Sequence, residues 1–122
     1  MISTHVLDTA LGVPAAGVRV RLERVSEGGA EEIGRASTDS DGRISEIGPR
    51  QLPSGTYRLI FGTGEYFEGL NATPGAGPDP QRQPGTAFFP EVTVTFTVAD
   101  PARHYHVPLL LSPFGYSTYR GS

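Results

Sequence analysis

A chain of 122 residues with ten basic and thirteen acidic side chains, hence a net charge of -3, has no basic surplus to neutralise a phosphate backbone, so nucleic acid is not expected as a partner. That length buries roughly two-thirds of the unfolded surface around one core, so a single domain over residues 1–122 should fold without staples. The lack of cysteine removes thiol nucleophiles and thiolate-bound zinc, and points to a reducing, cytoplasmic setting.

The opening "MISTHVLDTA" has neither the charged nor the apolar region of an export signal. No apolar run approaches the roughly 20 residues of a bilayer crossing, so a soluble protein with no membrane partner is expected. "GVRVRLE" sets Val18, Val20 and Leu22 against Arg19, Arg21 and Glu23, the period of a half-buried strand. "EEIGRASTDSDGRISEIG" predicts two short strands turned at Asp41-Gly42, a hairpin dipeptide. "TYRLIFGT" alternates around Tyr57, Leu59 and Phe61, and "EYFEGLN" is the one stretch suited to a short helix. Residues 71–87, "NATPGAGPDPQRQPGTA", mix Pro74, Pro78, Pro80 and Pro84 with three glycines, which predicts a surface loop. In "EVTVTFTV", Val92, Val94, Phe96 and Val98 point one way and three threonines the other. Two more strands are expected in "HYHVPLLLSPFGYSTYRG", broken near Ser112-Pro113. Seven or eight strands at such spacings predict an all-β sandwich.

His104 and His106 are two apart, so on one strand they leave the same face, continued by Leu110 and Ser112. The opposite face, Tyr105, Val107, Leu109 and Leu111, is far more apolar, so these histidines should look away from the core. With His5 as a third ligand they match the ligand number of an open zinc site. No carboxylate or thiolate supports the pattern, so no metal is assigned; the competing reading is solvent-facing histidines without a role. Arg43 follows the Asp41-Gly42 turn, which fixes it at a strand start, although spacing alone gives it no role beyond an exposed arginine. "DSDG" lacks the further ligands of a calcium loop, and Asn71-Ala72-Thr73 matches a glycosylation acceptor without a secretion signal. No Gly-x-Ser-x-Gly elbow or phosphate loop is present. The ending "YSTYRGS" carries two tyrosines and an arginine where free ends usually fray into polar tails, so it reads as an end held against the body.

"HVLDTALGVPAAGVRV" near the front and "YHVPLLLSPFGYSTYRGS" at the end resemble the two signature segments of the transthyretin family, over essentially the whole chain except the proline-rich loop, which is longer than usual. That family contains thyroid-hormone carriers and 5-hydroxyisourate hydrolases. The carriers have lysine at the position of His5, an acidic residue at Arg43 and threonine at His106, and lack the Tyr-Arg-Gly-Ser ending, so the resemblance sides with the hydrolases. It implies a transthyretin-like β-sandwich of two four-stranded sheets with one short helix, assembled as a homotetramer, a dimer of dimers with its sites at the dimer–dimer interface. The implied activity opens the six-membered ring of 5-hydroxyisourate to 2-oxo-4-hydroxy-4-carboxy-5-ureidoimidazoline, a small-molecule reaction of urate degradation. In that reading His106 is the base, His5 orients water or relays a proton, and Arg43 clamps the developing charge. Tyr119, Ser122 with its terminal carboxylate, and His104 would position substrate or support the base. No cofactor is expected, because water and protein groups suffice for amide hydrolysis. The alternatives are a non-catalytic carrier with the same channel and a structural β-sandwich module.

Overall fold

The computed structural model describes residues 1–71 and 87–122. In chain order they form β1 (Ile2–Asp8), β2 (Val13–Pro14), β3 (Arg19–Ser26), β4 (Gly29–Ser37), β5 (Arg43–Ile44), β6 (Gly55–Phe61), α1 (Thr63–Asn71), β7 (Val92–Val98), β8 (Tyr105–Ser112) and β9 (Gly115–Thr118). The proline-rich loop expected at 71–87 lies outside the described residues except for its ends, as does the glycosylation triplet beyond Asn71. No described helix is long and apolar enough to cross a membrane.

One sheet runs β4-β3-β6-β7, antiparallel throughout. In the other, β1 lies parallel to β8, β8 pairs antiparallel with β9, and the far edge of β1 is shared by the two-residue strands β2 and β5. That second sheet is therefore also four strand positions wide. The inward residues of the two sheets meet between them: Val20, Leu22, Tyr57, Leu59 and Phe61 from one, Ile2, Val6, Tyr105, Leu109 and Leu111 from the other. Each such side chain contributes about 1.5–3 kcal/mol when fully buried, and together they hold the register of both sheets. Helix α1 closes one end. Its Tyr66 hydroxyl donates to the buried Asp8 carboxylate at 2.8 Å, which also accepts from the Ala10 and Leu11 amides.

Two local expectations change. Alternation did not single out β1, because Ser3, Thr4 and Asp8 are polar yet buried. The inward positions of this central strand carry Thr4 and Asp8 beside Ile2 and Val6, while Leu7 faces outward, which blurs the inside-outside signal; Thr4 satisfies its hydroxyl on the Val107 carbonyl at 2.6 Å. The Asp41-Gly42 turn is not a hairpin: β4 joins the four-stranded sheet, whereas β5 pairs with β1 across the sandwich. Asp39 organises the reversal, its carboxylate accepting from the Asp41 and Arg43 amides at 2.9 Å, while its own amide donates to the Arg43 carbonyl. Gly42 has φ +75°, and a Cβ there would overlap the Val6 carbonyl oxygen. This turn is built to lay Arg43 beside β1.

Candidate active site

The register of three adjacent strands assembles the site. Arg43 on β5 is the partner of His5 on β1, and Ser3, two residues before His5, is the partner of His106 on β8. Paired residues point to the same face, and residues two apart on a strand do as well. Ser3, His5, Arg43 and His106 therefore share the outer face of this sheet, with neighbouring strands about 4.8 Å apart and diagonal neighbours about 7–8 Å apart. Opposite them, Ile2, Val6, Tyr105 and Val107 are buried in the core. Apolar alternation thus decides that the polar set faces outward.

Ser3 is the hub. Its Oγ lies 2.7 Å from His104 Nε2 and 2.7 Å from His106 Nδ1, and the serine is only 5% exposed. The two imidazole centroids are 6.5 Å apart. On its other side the His106 ring meets the chain end: Gly121 bridges to β8 through its amide, 2.9 Å from the His106 carbonyl. A Cβ on Gly121 would stand 2.5 Å from His106 Cδ2. With Nδ1 on the serine and Cδ2 against Gly121, the ring is fixed from both sides. Its Nε2 has no hydrogen-bond partner among the described residues. Burial, then the nearby His104, His5 and Arg43, hold the His106 pKa below its ordinary 6.5, so this imidazole is neutral near neutrality and can accept a proton.

Arg43 supplies the opposite character. Six of the described arginines, at 19, 21, 35, 50, 58 and 103, pair with carboxylates. The Arg43 guanidinium has no such partner among the described residues, so its charge and planar donors are available to an anion. Tyr119 and His106 both line a cleft of about 270 Å³ between β7 and the chain end. Arg120 there stacks its guanidinium 4.8 Å from the Tyr105 ring centroid, which pins the tail. Ser122 is exposed immediately beyond the Gly121 bridge. His104 is exposed too, with its Nε2 turned to Ser3. Among the described residues no three histidine or acidic side chains are placed to hold a metal ion.

The sequence reading pointed to His5, Arg43, His104 and His106, which the fold brings onto or beside one face. It missed Ser3 and Gly121. Residues 2–121 match the HIUase/Transthyretin family. The chain belongs to that family. Among its relatives, the 5-hydroxyisourate hydrolase of Deinococcus radiodurans is 47% identical over 123 residues, covering 99% of this chain and 95% of that one. The structure of Klebsiella pneumoniae 5-hydroxyisourate hydrolase superposes with a TM-score of 0.78 at 36% identity, over 99% of this chain and 98% of the other. Transthyretin from Sparus aurata has the same fold, with a TM-score of 0.80 over 98% and 95% of the two chains, but is only 28% identical. Within the HIUase/transthyretin family, then, the sandwich is shared, and the curated relatives at 40–47% identity carry the hydrolase name.

Proposed function

We propose that the chain hydrolyses 5-hydroxyisourate, opening its six-membered ring at an amide bond. The observation that carries this reading is one sheet face bearing a neutral imidazole, His106, whose Nε2 has no partner among the described residues, and an arginine, Arg43, with no acidic partner among them, on either side of His5. Amide hydrolysis needs both a proton acceptor for water and stabilisation of charge on the carbonyl oxygen. In the proposed step His106 Nε2 takes a proton as the water oxygen adds to the ring carbonyl carbon, and Arg43 faces the oxyanion. Collapse breaks the C–N bond, and the proton returns from His106 to the departing ring nitrogen. The product is 2-oxo-4-hydroxy-4-carboxy-5-ureidoimidazoline. His5 orients the water, while Tyr119 and Ser122 border the substrate from the chain end.

The face is open to solvent in a single chain: Arg43 and Ser122 are exposed, and Tyr119 is 58% exposed. A second pair of subunits laid against it would exclude water from the reaction, which favours a homotetramer with sites at the dimer–dimer interface, acting on a small molecule in the cytoplasm. Light scattering should then report about four times 13.0 kDa. The decisive assay generates 5-hydroxyisourate freshly from urate with an oxidase and follows its ultraviolet decay. Acceleration by the protein is expected. Decay at the spontaneous rate would overturn the assignment.

A further inference from the structure

Ser3 has one proton and two imidazole nitrogens at 2.7 Å. It can donate to only one of them, so the other ring must donate to it. Two arrangements are possible. In the first, His106 carries its proton on Nδ1 and donates to Ser3 Oγ, and the serine donates to His104 Nε2. In the second the direction is reversed, His106 carries its proton on Nε2, and the nitrogen that should accept a proton from water is already occupied.

We propose that Ser3 is a positioning residue that holds His106 as the Nδ1–H tautomer, with His104 as the acceptor that fixes the direction of the serine proton. This rests on the hydrolase reading above and names a further residue for it. One observation and two consequences for the proposed reaction select the first arrangement. The outward Nε2 shares its face with the Arg43 cation, which has no acidic partner among the described residues and attracts a lone pair while repelling an N–H. Protonation at Nε2 then requires no change at Ser3, because Nδ1–H donates to Oγ both before and after; in the reverse arrangement the buried serine would have to turn over in each cycle. The bond also becomes charge-assisted once His106 is an imidazolium, and the serine passes that polarisation on to His104. An orienting group behind a catalytic imidazole follows the same logic in other hydrolases. Here a hydroxyl and a second imidazole take the role, because among the described residues no carboxylate bonds to His106 Nδ1.

The test has an arm that needs no substrate. Histidine-labelled protein at mildly alkaline pH, where the His106 imidazole is neutral, reports its ring tautomer through 15N chemical shifts. Wild-type His106 should carry its proton on Nδ1, and Ser3→Ala should move the population toward Nε2–H. His104→Ala, at an exposed position, frees the serine proton to turn toward His106 and should shift the population the same way. In the decay assay Ser3→Ala should lose kcat roughly ten- to a hundredfold with KM little changed. A wild-type His106 protonated on Nε2, or a Ser3→Ala protein with unchanged tautomer and kcat, would overturn the proposal. Should wild type fail to hydrolyse 5-hydroxyisourate while the tautomers shift as stated, the hydrolase reading falls and the role of Ser3 in holding the ring stands.

Discussion

Gly121→Ala separates fold from chemistry more sharply than removal of a catalytic side chain, because it adds one methyl group and deletes nothing. Gly121 is not among the glycines at positive φ, so alanine meets no backbone barrier, and the effect must come from the space around it. The added carbon would stand 2.5 Å from His106 Cδ2, 3.1 Å from Pro108 Cγ and 3.3 Å from His106 Cγ. Carbon contacts are comfortable at about 3.5–4.0 Å, so either the ring or the chain end must move by about 1 Å. Rotating the ring away breaks the 2.7 Å bond to Ser3. Lifting the tail breaks the 2.9 Å amide bridge, a loss of about 1 kcal/mol, and carries Tyr119 and Ser122 with it.

Neither response touches the core, since the bridge lies beyond β9. Melting should therefore fall by only a few degrees. Activity should fall far more, because a displacement of about 1 Å in a reacting group can cost about a hundredfold. The measurement is the initial rate of 5-hydroxyisourate decay beside a thermal melt of the same preparation. A Gly121→Ala protein that melts normally and keeps its rate within about threefold of wild type would refute the claim that the chain end fixes the base.

His106→Ala and Arg43→Ala should each cost at least about a hundredfold in kcat/KM, roughly 3 kcal/mol of transition-state stabilisation, with circular dichroism unchanged; a folded variant near wild-type rate would remove that residue from the mechanism. The pH profile follows from the lowered His106 pKa, set first by burial and then by His104, His5 and Arg43: the acid limb of kcat/KM should have its midpoint below 6.5. A limb centred above that value would contradict the assignment of the base. The same shift has a stability sign. Folding disfavours the protonated ring, so the contribution of His106 is fully present above its ordinary pKa and is lost as pH falls through the lowered folded value. Dialysis against a strong chelator should leave the decay rate unchanged, and a loss restored by added zinc would reinstate a metal held by His5, His104 and His106.

Strands β3 and β7 were legible because each has one buried and one open face, which writes itself into alternation: Val92 and Val98 are buried while Thr93, Thr95 and Thr97 are exposed; in β6 and β8 the outward side is partly buried, but the inward residues Tyr57, Leu59, Phe61, Tyr105, Val107, Leu109 and Leu111 still alternate. The outward turn of His106 could be read the same way from its apolar neighbours on β8. Turn chemistry was legible too, but not the destination of the chain after the turn. Asp41-Gly42 marks a reversal, whereas the choice between pairing with β4 and pairing with β1 is made by Asp39 and by the fit of Gly42 against Val6. Ser3 was invisible for a different reason. Its partners lie 101 and 103 residues away, and a parallel pairing between the two ends of a chain leaves no local pattern. Gly121 likewise reads as a flexible tail glycine until the His106 ring is found against it.

Placing these groups on strands rather than loops makes the core responsible for where the candidate site's side chains stand without taking part in the site. The parallel register of β1 and β8 puts Ser3 beside His106 and His5 beside Pro108, and the β1–β5 register puts Arg43 beside His5. A slip of one residue in either pairing would turn the shifted strand's polar set into the sandwich and its Ile2, Ile44 or Val107 outward. The cost of exposing those apolar side chains, and of burying imidazole or guanidinium, forbids that slip. The outward positions carry no part of the core between the sheets, so they can change with less effect on the fold than the inward ones. A transthyretin accordingly shares this sandwich at a TM-score of 0.80 with only 28% identity. The fold fixes where side chains stand, and the few that look outward decide what is done there.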